Sequence, residues 1–208
     1  MFDQVQLWAI VVPLGAYLLG SILPAEILAR RQGLDLRQAG KNPGAGEAGR
    51  LWGLHVGILV FIFDALKGVV PLIAGWLIGV PPWSLALTAA MAIAGHNWSI
   101  YYGFWGGQGL STAAGVYLYL LPQAFLVALV PSLFAWWKTK WIPINGIVGL
   151  PIISLLVWLN PDPVRRAAVV LISIVMLVRQ REWIKQRLAV IRARRRSSVR
   201  PDAGAEAP

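Results

Sequence analysis

Residues Gly95 to Gly115 read G-H-N-W-S-I-Y-Y-G-F-W-G-G-Q-G-L-S-T-A-A-G. This stretch places His96, Asn97, a Gly106-Gly107-Gln108-Gly109 turn and the pair Ser111-Thr112 between two long apolar runs. Glycines let a backbone turn sharply and approach a ligand closely, and Ser and Thr favour helix caps, so Ser111 and Thr112 are expected to cap the helix that follows. The pattern predicts a helix that ends near Ile100, a polar turn, and a new helix from Leu110. It is the first place to look for a site.

The surrounding chain decides the class. Of its 208 residues 57% are hydrophobic and only 13% charged, and the mean hydropathy is +0.62. A soluble domain carries about a quarter charged residues. The composition therefore predicts an all-α, polytopic membrane protein, with residues 1–190 as a single transmembrane helical bundle and 191–208 as a basic, disordered cytoplasmic tail. Cysteine is absent, which excludes disulfides and thiolate metal sites. The two histidines, His55 and His96, are far apart in sequence, and no H-E-x-x-H occurs, so no metal or other cofactor is expected. Met1 to Gln6 has no basic n-region, so the first apolar run is expected to remain as a membrane helix.

About seven spans are expected. The first is Leu7 to Ala29, followed by a polar loop over Gln32 to Arg50. The second runs from Leu51 to Val80, and the third from Trp83 to about Ile100. Leu110 to Leu121, Pro122 to Trp137, Ile142 to Leu159 and Val164 to Val178 complete the set, several of them short enough to be tilted or partial. An outer N-terminus and a cytoplasmic C-terminus put 16 of the 19 Lys and Arg residues on the inner side, as the positive-inside bias requires. The net charge of +10 then follows from topology and anionic lipid, and no nucleic-acid partner is expected. Glu182 to Arg200 carries Trp183, Ile184, Leu188 and Ile191 near helical spacing, which suits an amphipathic helix on the inner leaflet or a basic anchor.

Two further strings bear on chemistry. D-A-L-K-G-V-V-P puts Asp64 and Lys67 three residues apart on one face of the second span. Ionisable residues inside a membrane mark either a self-neutralising pair or a functional site, and both readings stand. Gly40 to Arg50, G-K-N-P-G-A-G-E-A-G-R, is a glycine-rich loop in which Lys41, Asn42, Gly44 and Arg50 could hold an anion against backbone amides. It does not fit the P-loop pattern.

Together with G-S-I-L-P-A-E-I-L-A-R (Gly20 to Arg30), these strings resemble the bacterial PlsY family over about residues 15 to 190. The family's members are membrane acyltransferases that move an acyl group from acyl phosphate to glycerol 3-phosphate. The resemblance implies a seven-helix fold in the bacterial inner membrane, with a cytoplasmic site and both substrates held by their phosphates. Residues Lys41, Asn42, Gly44, Arg50, Gly106, Gly107, Gly109 and Ser111 would bind phosphate, and Lys67, His96 and Gln108 are the candidates nearest the chemistry.

The departures are specific. The family's G-G-K-G is G-G-Q-G here, so Gln108 stands where a lysine is expected. Its G-S-G-N-x-G-A-T-N is shortened to G-K-N-P-G-A-G-E, and its R-H-R-E-N becomes Arg179-Gln-Arg-Glu-Trp183. Glutamine donates hydrogen bonds but carries no charge. Two readings follow: an acyltransferase with a rearranged anion site, in which Lys41 supplies the charge that Gln108 lacks; or a family member without acyl transfer that binds lipid or a protein partner. A small transporter is a third class, with no inverted repeat to support it.

Overall fold

The structure is a computed structural model, described over residues 4–139 and 144–198, with side chains described as far as residue 181. Every regular element among the described residues is helical: α1 (Gln4–Gly20), α2 (Pro24–Arg31), α3 (Ala45–Trp52), α4 (Leu54–Ile78), α5 (Pro82–Asn97), α6 (Leu110–Leu120), α7 (Pro122–Thr139), α8 (Ile144–Leu156) and α9 (Pro163–Ser198), with short 3-10 turns at Ile100–Tyr102 and Val157–Leu159. Lys140, Met1 to Asp3 and residues 199–208 lie outside the described residues. So does most of what bears on the proposed amphipathic tail, because the side chains from 182 onward are not described. α9 itself continues to Ser198, past the bundle boundary expected at residue 190.

The expected segments are recovered with two corrections at the N-terminal end. The first apolar run is two helices, not one. Pro24 has no N–H to donate and pushes the residue before it out of helical geometry, and Leu23 is extended at φ −112°, ψ 93°. Pro24 then starts α2 at a position where its missing donor costs nothing. The second correction is α3. Gln32 to Arg50 reads as a loop, yet Ala45–Trp52 is helical, so Arg50 lies in the last turn of a short helix and not ahead of one. Glu47 in the first turn and Arg50 in the last complement the helix dipole. Ala48, Leu51 and Trp52 bury an apolar face against Ala25, Ala29 and Val60. Gly53, at φ 92°, breaks this helix from α4.

Two segments, Gln4–Arg31 and Leu54–Ile78, are long and apolar enough to cross a membrane. α6 has 11 residues, about 16 Å of helix, or half of a hydrocarbon core. Phe63, Trp76, Leu77, Val130 and Phe134 face outward with most of their surface uncovered. An apolar belt of this kind is a liability in water and an asset in lipid.

Inside the belt the helices approach through small residues, the usual device where lipid removes the hydrophobic drive for helix association. α1 packs on α5 and α4 on α6. Gly20 lies on the Ala92 carbonyl and Gly95 on the Tyr17 carbonyl, with no room for a methyl group at either. Gly115 meets the Ala65 carbonyl in the same way. The main core, with Ile93, Val116, Val157, Ile172 and Met176 fully enclosed, fills the space among α5, α6, α8 and α9. This packing holds the end of α5, the start of α6 and the middle of α4 against one another, where the polar residues gather.

Candidate functional site

The deepest part of the site is carried by α4. Asp64 is fully buried and Lys67 nearly so. Their spacing puts Lys67 Nζ 2.8 Å from Asp64 Oδ1, and the same ammonium donates to the Ile22 carbonyl at 2.7 Å. That acceptor is available because the chain is non-helical between α1 and α2. The break forced by Pro24 thus supplies a ligand for the buried lysine. His96, on the last turn of α5, brings Nδ1 to 3.5 Å from the same carboxylate oxygen. The contact with Lys67 is an ion pair without hydrogen-bond alignment, and neither Asp64 oxygen nor His96 Nδ1 has an aligned hydrogen-bond partner.

The glycine turn is built on top of His96. Gly107 N–H donates to the His96 carbonyl at 2.9 Å. A Cβ on Gly107 would overlap His96 Nε2, and one on Gly106 would overlap the His96 carbonyl. Gly109 is left-handed at φ 72° and sits against the Asn97 side-chain oxygen. The three glycines are therefore fitted to a surface as well as to a turn. Gln108 is buried with them. The first amides of α6 have no acceptor within the helix, and no side chain caps them: Gly109 is the N-cap, and Ser111 and Thr112, expected as caps, lie inside the first turn. Ser111, in that first turn, is half-buried. Thr112 and Asn97 are fully buried, and Thr112 Oγ1 and both Asn97 amide atoms have no hydrogen-bond partner. Buried polar groups without a partner cost about 1–3 kcal/mol each, and polar substrate sites concentrate them.

The first loop makes a separate cluster. Lys41 Nζ lies 3.2 Å from Glu47, and Arg50 lies 3.6 Å from the other oxygen of the same carboxylate. Glu47 therefore brings Lys41 and Arg50 together, although 65% of the Arg50 side chain remains exposed. Asn42 stands beside Gly44, its amide nitrogen in ordinary contact range. The loop is tied down from α2. Buried Glu26 accepts from Arg30 Nε at 2.7 Å and from the Leu36 amide at 3.3 Å.

The two clusters share one end of the bundle. Arg30 stacks 4.9 Å over the Tyr102 ring, Arg37 donates to the Tyr102 carbonyl at 3.4 Å, and Trp105 packs against the same buried cluster as α3. Of the sequence candidates, Lys67, His96, Gly106 and Gly107 form one continuous set. Lys41 and Arg50 form the other. Two residues gain weight from the fold. Glu47 organises both loop cations. Arg179, from α9, donates through Nε to the Gly107 carbonyl at 2.8 Å and through a terminal nitrogen to the Gly106 carbonyl at 2.5 Å. Its signal in the sequence was its place at the head of the R-Q-R-E-W string, which says nothing about the turn 72 residues earlier.

Fold and site define a helical membrane protein in which buried polar residues gather beneath a glycine turn at one end of the bundle. The family model for glycerol-3-phosphate acyltransferase matches residues 10–190, and the chain belongs to that family. A Deinococcus radiodurans protein named glycerol-3-phosphate acyltransferase 1 is 35% identical over 182 residues, covering 86% of this chain and 92% of the relative. Glycerol-3-phosphate acyltransferase 4 of Dehalococcoides mccartyi is 39% identical over 150 residues, 70% of this chain and 64% of the relative. The crystal structure of PlsY, an integral membrane glycerol 3-phosphate acyltransferase, in its glycerol 3-phosphate form superposes with a TM-score of 0.77 at 32% identity, covering 87% of this chain and 92% of that one. Its lysophosphatidic acid form gives 0.75 at 31% identity, with the same coverage.

Proposed function

We propose that the protein transfers an acyl group to glycerol 3-phosphate to give lysophosphatidic acid, the entry into phospholipid synthesis, with acyl phosphate as the donor. The reading places it in the bacterial inner membrane with seven crossings, the N-terminus outside, and the site and C-terminus facing the cytoplasm. What carries it is family membership across residues 10–190 joined to a glycine turn that has no space for side chains and opens onto the uncapped start of α6.

The chemistry asks little of the protein beyond positioning. Acyl phosphate is a mixed anhydride, already activated. The glycerol hydroxyl attacks the acyl carbon, the new ester C–O bond forms, and the bond to phosphate breaks with its electron pair leaving on phosphate. The hydroxyl proton ends on the departing phosphate, which leaves as inorganic phosphate. Anion cradles that hold two phosphates in register supply most of what is needed. The α6 amides with Ser111 suit one phosphate, and the loop cations Lys41 and Arg50, with Asn42 and Gly44, suit the other. Lys67 and His96 are enclosed beneath the turn, so their part is to support it. Gln108 can donate a hydrogen bond to a phosphate oxygen without adding charge.

The test is direct. The purified protein, given acyl phosphate and glycerol 3-phosphate in lipid, is expected to form lysophosphatidic acid. Arg50→Ala should lower kcat/KM by about ten- to a hundredfold, the weight of one or two hydrogen bonds to a charged group. A folded, lipid-supplied sample with no turnover would sink the reading and favour a lipid- or partner-binding role.

A further inference from the structure

The two phosphate cradles are reached through neighbouring points of the fold, and those points are bonded to each other. The break between α1 and α2 leads by way of α2 into the Gly40–Arg50 loop. Ser99, two residues past the end of α5, leads into the glycine turn. Ser21, in the break, and Ser99 are both fully buried. Ser99 Oγ donates to the Ser21 carbonyl at 2.6 Å, across 78 residues of sequence. The Ile100 amide donates to Ser21 Oγ at 3.4 Å, and Ser21 Oγ donates to the Tyr17 carbonyl at 2.8 Å. Tyr17 Oη closes the ring of contacts by donating to the Trp98 carbonyl at 2.7 Å. The Ser21 carbonyl is available because α1 ends at Gly20, and leftover carbonyls at a helix end need other partners. Ser99 is the node. Its own carbonyl accepts from the amides of Tyr102 at 3.3 Å and Phe104 at 2.8 Å, which shapes the turn that delivers the chain to Gly106.

We infer that Ser99, with Ser21 and Tyr17, is a positioning junction that sets the two phosphate cradles in register. None of the three belongs to either cradle; each acts through the backbone it holds. The contacts of Arg30 and Arg37 with Tyr102 also bridge the two segments, but they lie at the surface. A buried hydrogen bond is costly to leave unmade, so the serines are the stronger tie. Acyl transfer joins two bound molecules, and its rate depends on how the cradles face each other. Binding of a single phosphate depends on its own cradle alone. A junction of this kind therefore governs kcat and leaves the affinity for one substrate nearly untouched. The consequence for turnover rests on the acyltransferase reading above, and the junction itself rests on the hydrogen bonds.

Two measurements on the full chain in nanodiscs test the inference. In the first, Ser99→Ala and wild type are compared for acyl transfer and for calorimetric binding of glycerol 3-phosphate. The kcat of the variant is expected to fall by about tenfold or more, since misplacement by about 1 Å can cost a hundredfold. Its Kd for glycerol 3-phosphate should stay within about threefold of wild type, at the same binding stoichiometry. A merely structural serine would lower the stoichiometry in step with turnover, and that result overturns the inference. So does a kcat lowered by less than about threefold, or a Kd that weakens as much as kcat falls. The second measurement uses the absence of cysteine from the chain. Nitroxides on Gln38→Cys and Tyr101→Cys, both at exposed positions, report on the first loop and the turn alone. Their dipolar spectrum should give a narrow spread of separations in the parent pair and a broader one with Ser99→Ala. Identical spreads overturn the inference. If Ser99→Ala does not fold, Tyr17→Phe is read in its place, because it removes only the half-buried phenol bond. Its kcat should fall by about three- to tenfold, the weight of one hydrogen bond, with binding unchanged. Absence of turnover in wild type overturns the acyltransferase reading instead, and the nitroxide pair still decides whether the junction holds the two segments together.

Discussion

The two glycine-rich regions look alike in sequence and differ in what their glycines are for. In the Gly106–Gly109 turn the backbone is pressed against His96 and Asn97, and any Cβ would strike a neighbouring atom. In the first loop Gly40 is left-handed at φ 64°, but a Cβ there would meet nothing within 4 Å. The turn needs glycine for space, and at Gly109 for a left-handed backbone as well, whereas Gly40 in the loop needs it for conformation alone. The charges divide in the same way. Beneath the turn they are buried, paired and inaccessible; at the first loop Arg50 is exposed, Lys41 is half-buried, and both share one carboxylate. The teaching is that one region is a rigid floor and the other an adjustable edge. Mutations should separate them by stability on one side and substrate affinity on the other.

The largest effect belongs under the floor. Asp64→Ala strands the Lys67 ammonium, 5% exposed, with the Ile22 carbonyl as its remaining partner among the described residues. Removing one member of a buried ion pair costs about 3–5 kcal/mol. Chemical unfolding of the purified variant in detergent should show a loss of that size, together with loss of turnover. A change under about 1 kcal/mol, the range of exposed pairs, would mean that the pair is not enclosed as described.

Next comes the direct contrast between glycines. Gly107→Ala forces a methyl group into the His96 ring, an overpacking worth about 1–3 kcal/mol. It should also displace the turn, with acyl transfer falling at least tenfold because misplacement of a site by about 1 Å can cost a hundredfold. Gly40→Ala has open space and bears only the left-handed penalty, about 1 kcal/mol, with turnover kept within a few-fold of wild type. Comparable losses of turnover in both variants would erase the distinction between floor and edge.

Much of the floor was legible before the structure, because helix length, proline breaks and the spacing of Asp64 and Lys67 are local properties. The polar turn and the restart at Leu110 could be read directly from the Gly and Ser-Thr pattern. The rest failed for physical reasons. α3 is masked by its own glycines, which lower helix propensity, and it is stabilised by packing on Val60 and Ala25, which no local pattern reports. The break before Pro24 was visible in the residue type but lost within a continuous apolar run. Arg179 reaches the turn across 72 residues, and such contacts depend on tertiary packing that one sequence does not reveal. Lys41 and Arg50 were read as a pair of cations, but the carboxylate that joins them appeared only as an anomaly, Glu47 in a motif where no acid was expected.

That anomaly yields the smallest and most discriminating effect. Glu47→Gln removes the carboxylate shared by Lys41 and Arg50 while keeping the side chain's size. Both cations remain in contact with water and the N···O separations are 3.2 and 3.6 Å, so the pairs lie near the surface range of about 0.2–1 kcal/mol and stability should fall by about 1 kcal/mol. Binding should move the other way. If the loop cations meet a substrate phosphate, releasing them from Glu47 frees both for it, and the KM for that substrate should drop by about two- to fivefold, the same energy expressed as affinity. The gain should fade as ionic strength rises, since exposed charges are screened over a Debye length of about 10 Å at 0.1 M salt. Glu47→Gln combined with Lys41→Ala separates the two cations. Loss of the gain in the double variant assigns it to Lys41, and retention assigns it to Arg50. A KM that rises in Glu47→Gln would mean that the carboxylate's job is to hold the cations in place, making the loop a second rigid surface and removing the contrast between edge and floor.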